Sequence, residues 1–240
     1  MKRWLVCALV LTGAVRVSAW GPHSEITRAA CRTVPEALRL NPRLVNAEAL
    51  AEYCWMADYR EHAFPHYFAD DYLLFPSLPR HLSHMLPEVR ATYAPHWNRA
   101  LQALRTESPT NAARGGGSLL HFVQDSGSPP HTAGISGELH FRMENWIDSK
   151  AIDLRNYTPQ LLGDSDESAL NGFQRRMEEL VAYSRQRAER VRPLCEANHR
   201  AEAEPIILES ALETARVTAD VVTTLLTRAP HRTRPTAGAA

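Results

Sequence analysis

The chain has 240 residues, 44% of them hydrophobic, with 27 basic against 27 acidic groups. That length is enough for one domain with a sizeable core, and the absence of any strongly basic tract argues against duplex nucleic-acid binding driven by protein charge alone. Beyond the first twenty residues only Cys31, Cys54 and Cys195 remain, none in Cys-x-x-Cys spacing, which argues against cysteine-ligated zinc.

Residues 1–19 read as a secretory signal peptide. Lys2 and Arg3 form a basic start, Trp4 to Val15 an apolar core, and Val17-Ser18-Ala19 a small-residue cleavage site. The apolar run is too short to span a membrane as a helix, and no later stretch reads as a transmembrane segment. Cleavage after Ala19 would place the protein outside the cytoplasm, secreted or periplasmic, with Trp20 as its first residue. Without Lys2, Arg3 and Arg16, the 27 basic residues fall to 24 against 27 acidic, a formal charge of −3.

The periodicity predicts a helix from about Ser24, with Ile26, Ala29, Ala30 and Thr33 on one face and His23 at its entrance. A second is predicted from Asn46 to Asp58, with Leu50, Tyr53, Cys54 and Ala57 aligned. Cys31 and Cys54 fall on these apolar faces, either as plain buried thiols or as a disulfide. Glu61 to Pro87 holds four prolines and reads as irregular. Pro87–Tyr93 and Pro95–Arg105 read as one kinked helix or two, because Pro95 interrupts the pattern. Ser108–Gly117 reads as a loop; its three glycines lack the following Gly-Lys-Ser or Gly-Lys-Thr of a phosphate cradle. Then come a short helix Ser118–Asp125, a Ser-Pro-Pro turn and a helix Glu138–Asn156 with Met143, Trp146, Ile147 and Leu154 as its core face. Two long helices are expected over Asp166–Val191 and Pro205–Thr227, their apolar rows (Leu170, Phe173, Met177; Leu208, Leu212, Ala215) serving the core. The tail, 229–240, reads as disordered. With no strand alternation and no repeat, the expected architecture is all-α, a single-domain multi-helix bundle over 20–228.

The chemistry concentrates in His121-Phe-Val-Gln-Asp125, His131 and His140-Phe-Arg-Met-Glu144. Residues four apart on a helix share a face, so each histidine meets its carboxylate, and His131 follows the turn between the two pairs. Imidazole and carboxylate are nitrogen and oxygen ligands suited to zinc. His81, His84 and His96 have no such company and read as surface or core histidines.

This arrangement resembles the zinc-dependent phospholipase C family, which shares its scaffold with single-strand nucleases. A mature N-terminal tryptophan, expected here as Trp20, is part of that resemblance, as are Ala57-Asp58 and the stretch His66-Tyr67-Phe68-Ala69-Asp70. The resemblance implies three Zn²⁺ ions in one cleft. The first would take Asp58, His66, His121 and Asp125, with His62 as the alternative to His66. The second would take His131, His140 and Glu144. The third would take the amine and carbonyl of Trp20, with His23 and Asp125, so that Asp125 bridges. Asp58, Asp125 and Glu144 would be the catalytic carboxylates, Asp58 as ligand and possible general base. The implied activity is hydrolysis of phosphodiesters, foremost phospholipids at the glycerol–phosphate bond, with peripheral membrane contact. Single-stranded nucleic acid is the alternative substrate, and a non-enzymatic secreted zinc-binding protein a third reading. The direct run from Thr132 to His140 looks more like the phospholipase branch. Tyr59, Phe64, Tyr67 and Phe68 are aromatics suited either to a quaternary ammonium headgroup or to stacked bases.

Overall fold

The computed structural model describes residues 21–39, 46–63 and 85–229, the side chains of 56–63 and 88 excepted. The expected signal segment (1–19), Trp20, His62, His66, His81, His84 and the tail from Pro230 therefore lie outside the described residues, as do the side chains of Asp58 and Tyr59 and all of Phe64, Tyr67 and Phe68. Every regular element among the described residues is helical: α1 (His23–Thr33), α2 (Glu36–Arg39), α3 (Ala47–Ala63), a 3₁₀ turn (Glu88–Thr92), α4 (Tyr93–Thr106), α5 (Pro109–Asp125), α6 (Pro129–Thr132), α7 (Gly137–Asn145), a second 3₁₀ turn (Ser149–Ala151), α8 (Asp166–Glu196) and α9 (Arg200–Arg228). None is long and apolar enough to cross a membrane.

The central element is α5, and it corrects the expected loop at Ser108–Gly117. Ser108 caps the helix, its hydroxyl accepting from the Asn111 amide at 3.3 Å, and Pro109 occupies the first turn. Gly115, Gly116 and Gly117 lie inside the helix and are buried. Their intrinsic cost in a helix is about 1 kcal/mol each, and close packing is what they permit. A Cβ on Gly117 would collide with Cβ of Tyr53, and one on Gly116 would come within 2.9 Å of Leu50 Cδ2. Absent side chains thus let α3 lie directly on α5. This contact carries Cys54 and the start of the Trp55–Asp58 segment toward His121.

Other boundaries also move. Pro95 stands in the first turn of α4, where a missing amide costs little, so it opens that helix. The expected helix Glu138–Asn156 ends at Asn145, and the chain then runs to Ser165 through the 3₁₀ turn at Ser149–Ala151 without further α-helix. Asp220, buried on α9, holds that stretch, accepting from the Tyr157 hydroxyl at 2.8 Å and the Gln160 amide at 2.7 Å. The long helices extend past their predicted ends to form an antiparallel hairpin, turned at Asn198 with φ of 63°; asparagine tolerates this left-handed conformation better than most residues.

The main core joins Cys31, Cys54, Trp97, Leu119, Phe173, Met177, Val221 and Leu225, residues of α1, α3, α4, α5, α8 and α9. Trp97 stacks on Phe173 with ring centroids 4.7 Å apart. Cys31, Cys54 and Cys195 are free and buried, which decides the cysteine question in favour of thiols. His96 is a core histidine, its ring tilted against Phe122 with centroids 4.4 Å apart.

Candidate metal centre

The C-terminal end of α5 delivers His121 and Asp125 to one place, with Nε2 of the histidine 3.1 Å from Oδ2 of the aspartate. Packing of α1 brings His23 to the other carboxylate oxygen, Nε2 to Oδ1 3.3 Å. The His23 and His121 rings face each other with centroids 4.8 Å apart, and all three side chains are at most 1% exposed.

A second group forms from shorter-range parts. Ser128 precedes Pro129 and Pro130 at the start of α6, where prolines fit because the first helical amides have no partners within the helix. This one-turn helix carries His131, while α7 carries His140 and Glu144 one turn apart. His131 Nε2 and His140 Nε2 lie 3.0 Å and 3.1 Å from the same oxygen, Oε1 of Glu144. The Ser128 hydroxyl donates to that oxygen at 3.2 Å. His131 Nδ1 also lies 3.9 Å from Asp125 Oδ2, so the two groups are neighbours.

Within each group the nitrogen and oxygen atoms lie within 4.8 Å of one another, close enough to hold a metal ion. Tetrahedral zinc with bonds of about 2.1 Å sets its ligand atoms roughly 3.4 Å apart, near the observed separations. The tautomers also fit. His121 Nδ1 is 3.0 Å from the Cys54 carbonyl, His140 Nδ1 is 2.8 Å from the Ile135 carbonyl, and His23 Nδ1 is 2.7 Å from the Gln124 side-chain oxygen. Carbonyl oxygens only accept, so each Nδ1 carries a proton and each Nε2 faces a carboxylate. Such orientation of imidazole by an outer acceptor is common in metal sites.

Two charge arrangements make these Nε2–carboxylate approaches attractive: an imidazolium against a carboxylate, or a neutral imidazole and a carboxylate sharing a cation. The first is reflected in the proton affinities. Burial alone would lower the pKa of His23, but the hydrogen bonds with Asp125 and Cys54 push it up to about 10. Burial opposes ionisation of His140 too, yet its bond to Glu144 lifts it to about 9. The carboxylates respond in the opposite sense. Burial would raise Asp125, but the charges of His121 and His131 hold it well below its ordinary value. Burial would likewise raise Glu144, but the bonds from His131 and His140 depress it.

Of the sequence-predicted site residues, the structure brings together His23, His121 and Asp125, and separately His131, His140 and Glu144. Trp20, His66 and the Asp58 side chain lie outside the described residues. Sequence reasoning missed the residues behind the cluster: Gln124, Ser128 and the carbonyls of Cys54 and Ile135. Gln124 left one usable signal, an uncharged polar side chain directly before Asp125 on a helix whose last turns are buried. Compared with protein-family models, with curated proteins and with solved structures, the chain matched none.

Proposed function

We propose that this protein is a zinc-dependent phosphodiester hydrolase acting on phospholipids at the glycerol–phosphate bond. The observation that carries the reading is the pair of adjacent histidine–carboxylate groups, with His131 3.9 Å from Asp125 between them. His131, His140 and Glu144 would hold one ion. His23, His121 and Asp125 would serve two more, one carboxylate oxygen facing each histidine, completed by Trp20, Asp58 and His66 as the family resemblance implies. Zinc bound there supplies activation of water near neutral pH and stabilisation of charge on a phosphoryl group.

The chain's own residues then have defined tasks. Three carboxylates, Asp58, Asp125 and Glu144, offset half the charge of three divalent ions, which leaves the pocket attractive to a phosphodiester without lysines. Ser128 holds Glu144 in place through its hydroxyl. His131 is 8% exposed and the His140 side chain 22%, so the second group is the more accessible to water and substrate. Three protein ligands with an open position is a catalytic rather than a structural pattern for zinc. The run from Thr132 to His140, with its likeness to the phospholipase branch, favours a lipid headgroup over single-stranded nucleic acid.

The test is a paired assay on protein beginning at Trp20, with phosphatidylcholine vesicles and single-stranded DNA as substrates. Release of phosphocholine that a chelator abolishes and added zinc restores is the expected result. Cleavage of DNA alone would move the assignment to a nuclease. Absence of turnover on both substrates by zinc-loaded protein would overturn the enzymatic reading.

A further inference from the structure

Gln124 is completely buried and links three helices through one side-chain amide. Its Nε2 donates to Thr27 Oγ1 on α1 at 2.9 Å, while its Oε1 accepts from the Cys54 thiol on α3 at 3.2 Å and from His23 Nδ1 at 2.7 Å. A primary amide is an expensive core residue: without hydrogen bonds its burial costs about 1–3 kcal/mol in proteins, and an apolar side chain of similar size avoids that cost. Packing alone therefore gives no reason for glutamine here. The bonds themselves indicate its role. With the amide nitrogen bonded to Thr27, the oxygen rather than the nitrogen faces the ring of His23. An acceptor at Nδ1 sets the imidazole tautomer and turns Nε2 toward Asp125. The backbone carbonyls that orient His121 and His140 do the same job, and at His23, the first residue of α1, this side-chain amide does it.

We propose that Gln124 is a positioning residue for the metal centre: its side-chain oxygen fixes the tautomer and aim of His23, and so determines the affinity of the ion shared by His23 and Asp125. This rests on the reading that the His23–His121–Asp125 group binds metal. Glutamine suits the role because it is neutral and bifunctional. A carboxylate at 124 would still accept from His23 but could not donate to Thr27 unless protonated, and a methionine would fill the space without accepting strongly from Nδ1.

The experiment uses protein beginning at Trp20 and carrying His140→Ala, which removes a ligand of the second group so that the first is read on its own. Zinc stoichiometry and affinity are measured by chelator competition, and the His23 tautomer by long-range nitrogen–proton NMR. Gln124→Met is expected to weaken zinc binding about 10- to 100-fold, the usual effect of losing an outer-sphere partner, and to lose the single Nδ1-protonated form. Gln124→Glu should recover most of the affinity, because its carboxylate accepts from His23. Wild-type affinity and tautomer in Gln124→Met would overturn the proposal. So would equal losses in Gln124→Met and Gln124→Glu, since that pattern signals core packing. If the parent protein binds no zinc, the metal reading itself fails, a result separate from either of these.

Discussion

The two histidine–carboxylate groups use the same donor chemistry but are assembled in opposite ways. His131, His140 and Glu144 come from fourteen consecutive residues on two short helices, so local turn geometry brings them together. His23 and Asp125 are about a hundred residues apart in the chain and meet only because α1 packs against the end of α5. The local group is partly open, whereas the long-range group is sealed, each of its members at most 1% exposed. Closed zinc sites hold structure and open ones do chemistry. On the proposed function, that difference implies a division of labour, with the sealed group anchoring metal and α1 and the open group meeting substrate.

That comparison can be broken most forcefully at Asp125, the carboxylate the sealed group shares and the closest link to the other. Asp125→Asn leaves His23 and His121 without their buried counter-charge. In metal-stripped protein it should cost about 3–5 kcal/mol, the usual penalty for removing one partner of a buried pair. Metal content should fall in the sealed group while the open group keeps its ion, as read by denaturant titration and elemental analysis. An unchanged unfolding midpoint would contradict the buried-pair description.

Gly117→Ala probes the packing that builds the sealed group. The added methyl meets Tyr53 and must push α3 away from α5, with a cost of about 1–3 kcal/mol for overpacking. Because the Cys54 carbonyl orients His121, zinc affinity should drop at the sealed group and hold at the open one. Equal losses at both would deny that they are built independently.

Histidine 140 is expected to behave differently. His140→Ala should cost less stability than Asp125→Asn, because Glu144 keeps His131 and Ser128 as partners, yet abolish turnover and remove one equivalent of zinc. Retained activity would shift the chemistry to the sealed group.

The smallest effect concerns pH. The His23 pKa is raised from 6.5 to about 10 in the folded, metal-free protein. Its contribution to stability is therefore complete below about pH 6.5 and declines as pH rises toward 10. Asp125 and Glu144 are depressed, so their contribution is present above their unfolded values near pH 4 and is lost in acid. Zinc uptake has the reverse dependence: it displaces the Nε2 protons, so affinity should rise with pH between 6.5 and 10 and protons should be released on binding. Indicator-dye titration in weak buffer would show this, and no proton release at pH 7 would rule out the imidazolium–carboxylate state.

The sequence by itself determined the helical class, the long α8–α9 pair and the two i, i+4 histidine–carboxylate pairs. Each is written in spacing along one helix face, and 3.6-residue geometry follows from the chain alone. The Gly115–Gly117 run was misleading because glycine's local preference is for loops, while its use here, admitting α3 against α5, depends on a neighbour sixty residues away. The reach of the helix after Ser136 was overestimated because hydrophobic spacing continues past Asn145 in residues that pack while non-helical, with Ile152 and Leu154 buried beside α1 and α9. Only the tertiary structure decided that His23 meets His121 and Asp125, and that Gln124 stands behind them. No periodicity records contacts between helices, and the side-chain hydrogen bonds that select a tautomer exist only once α1, α3 and α5 have packed.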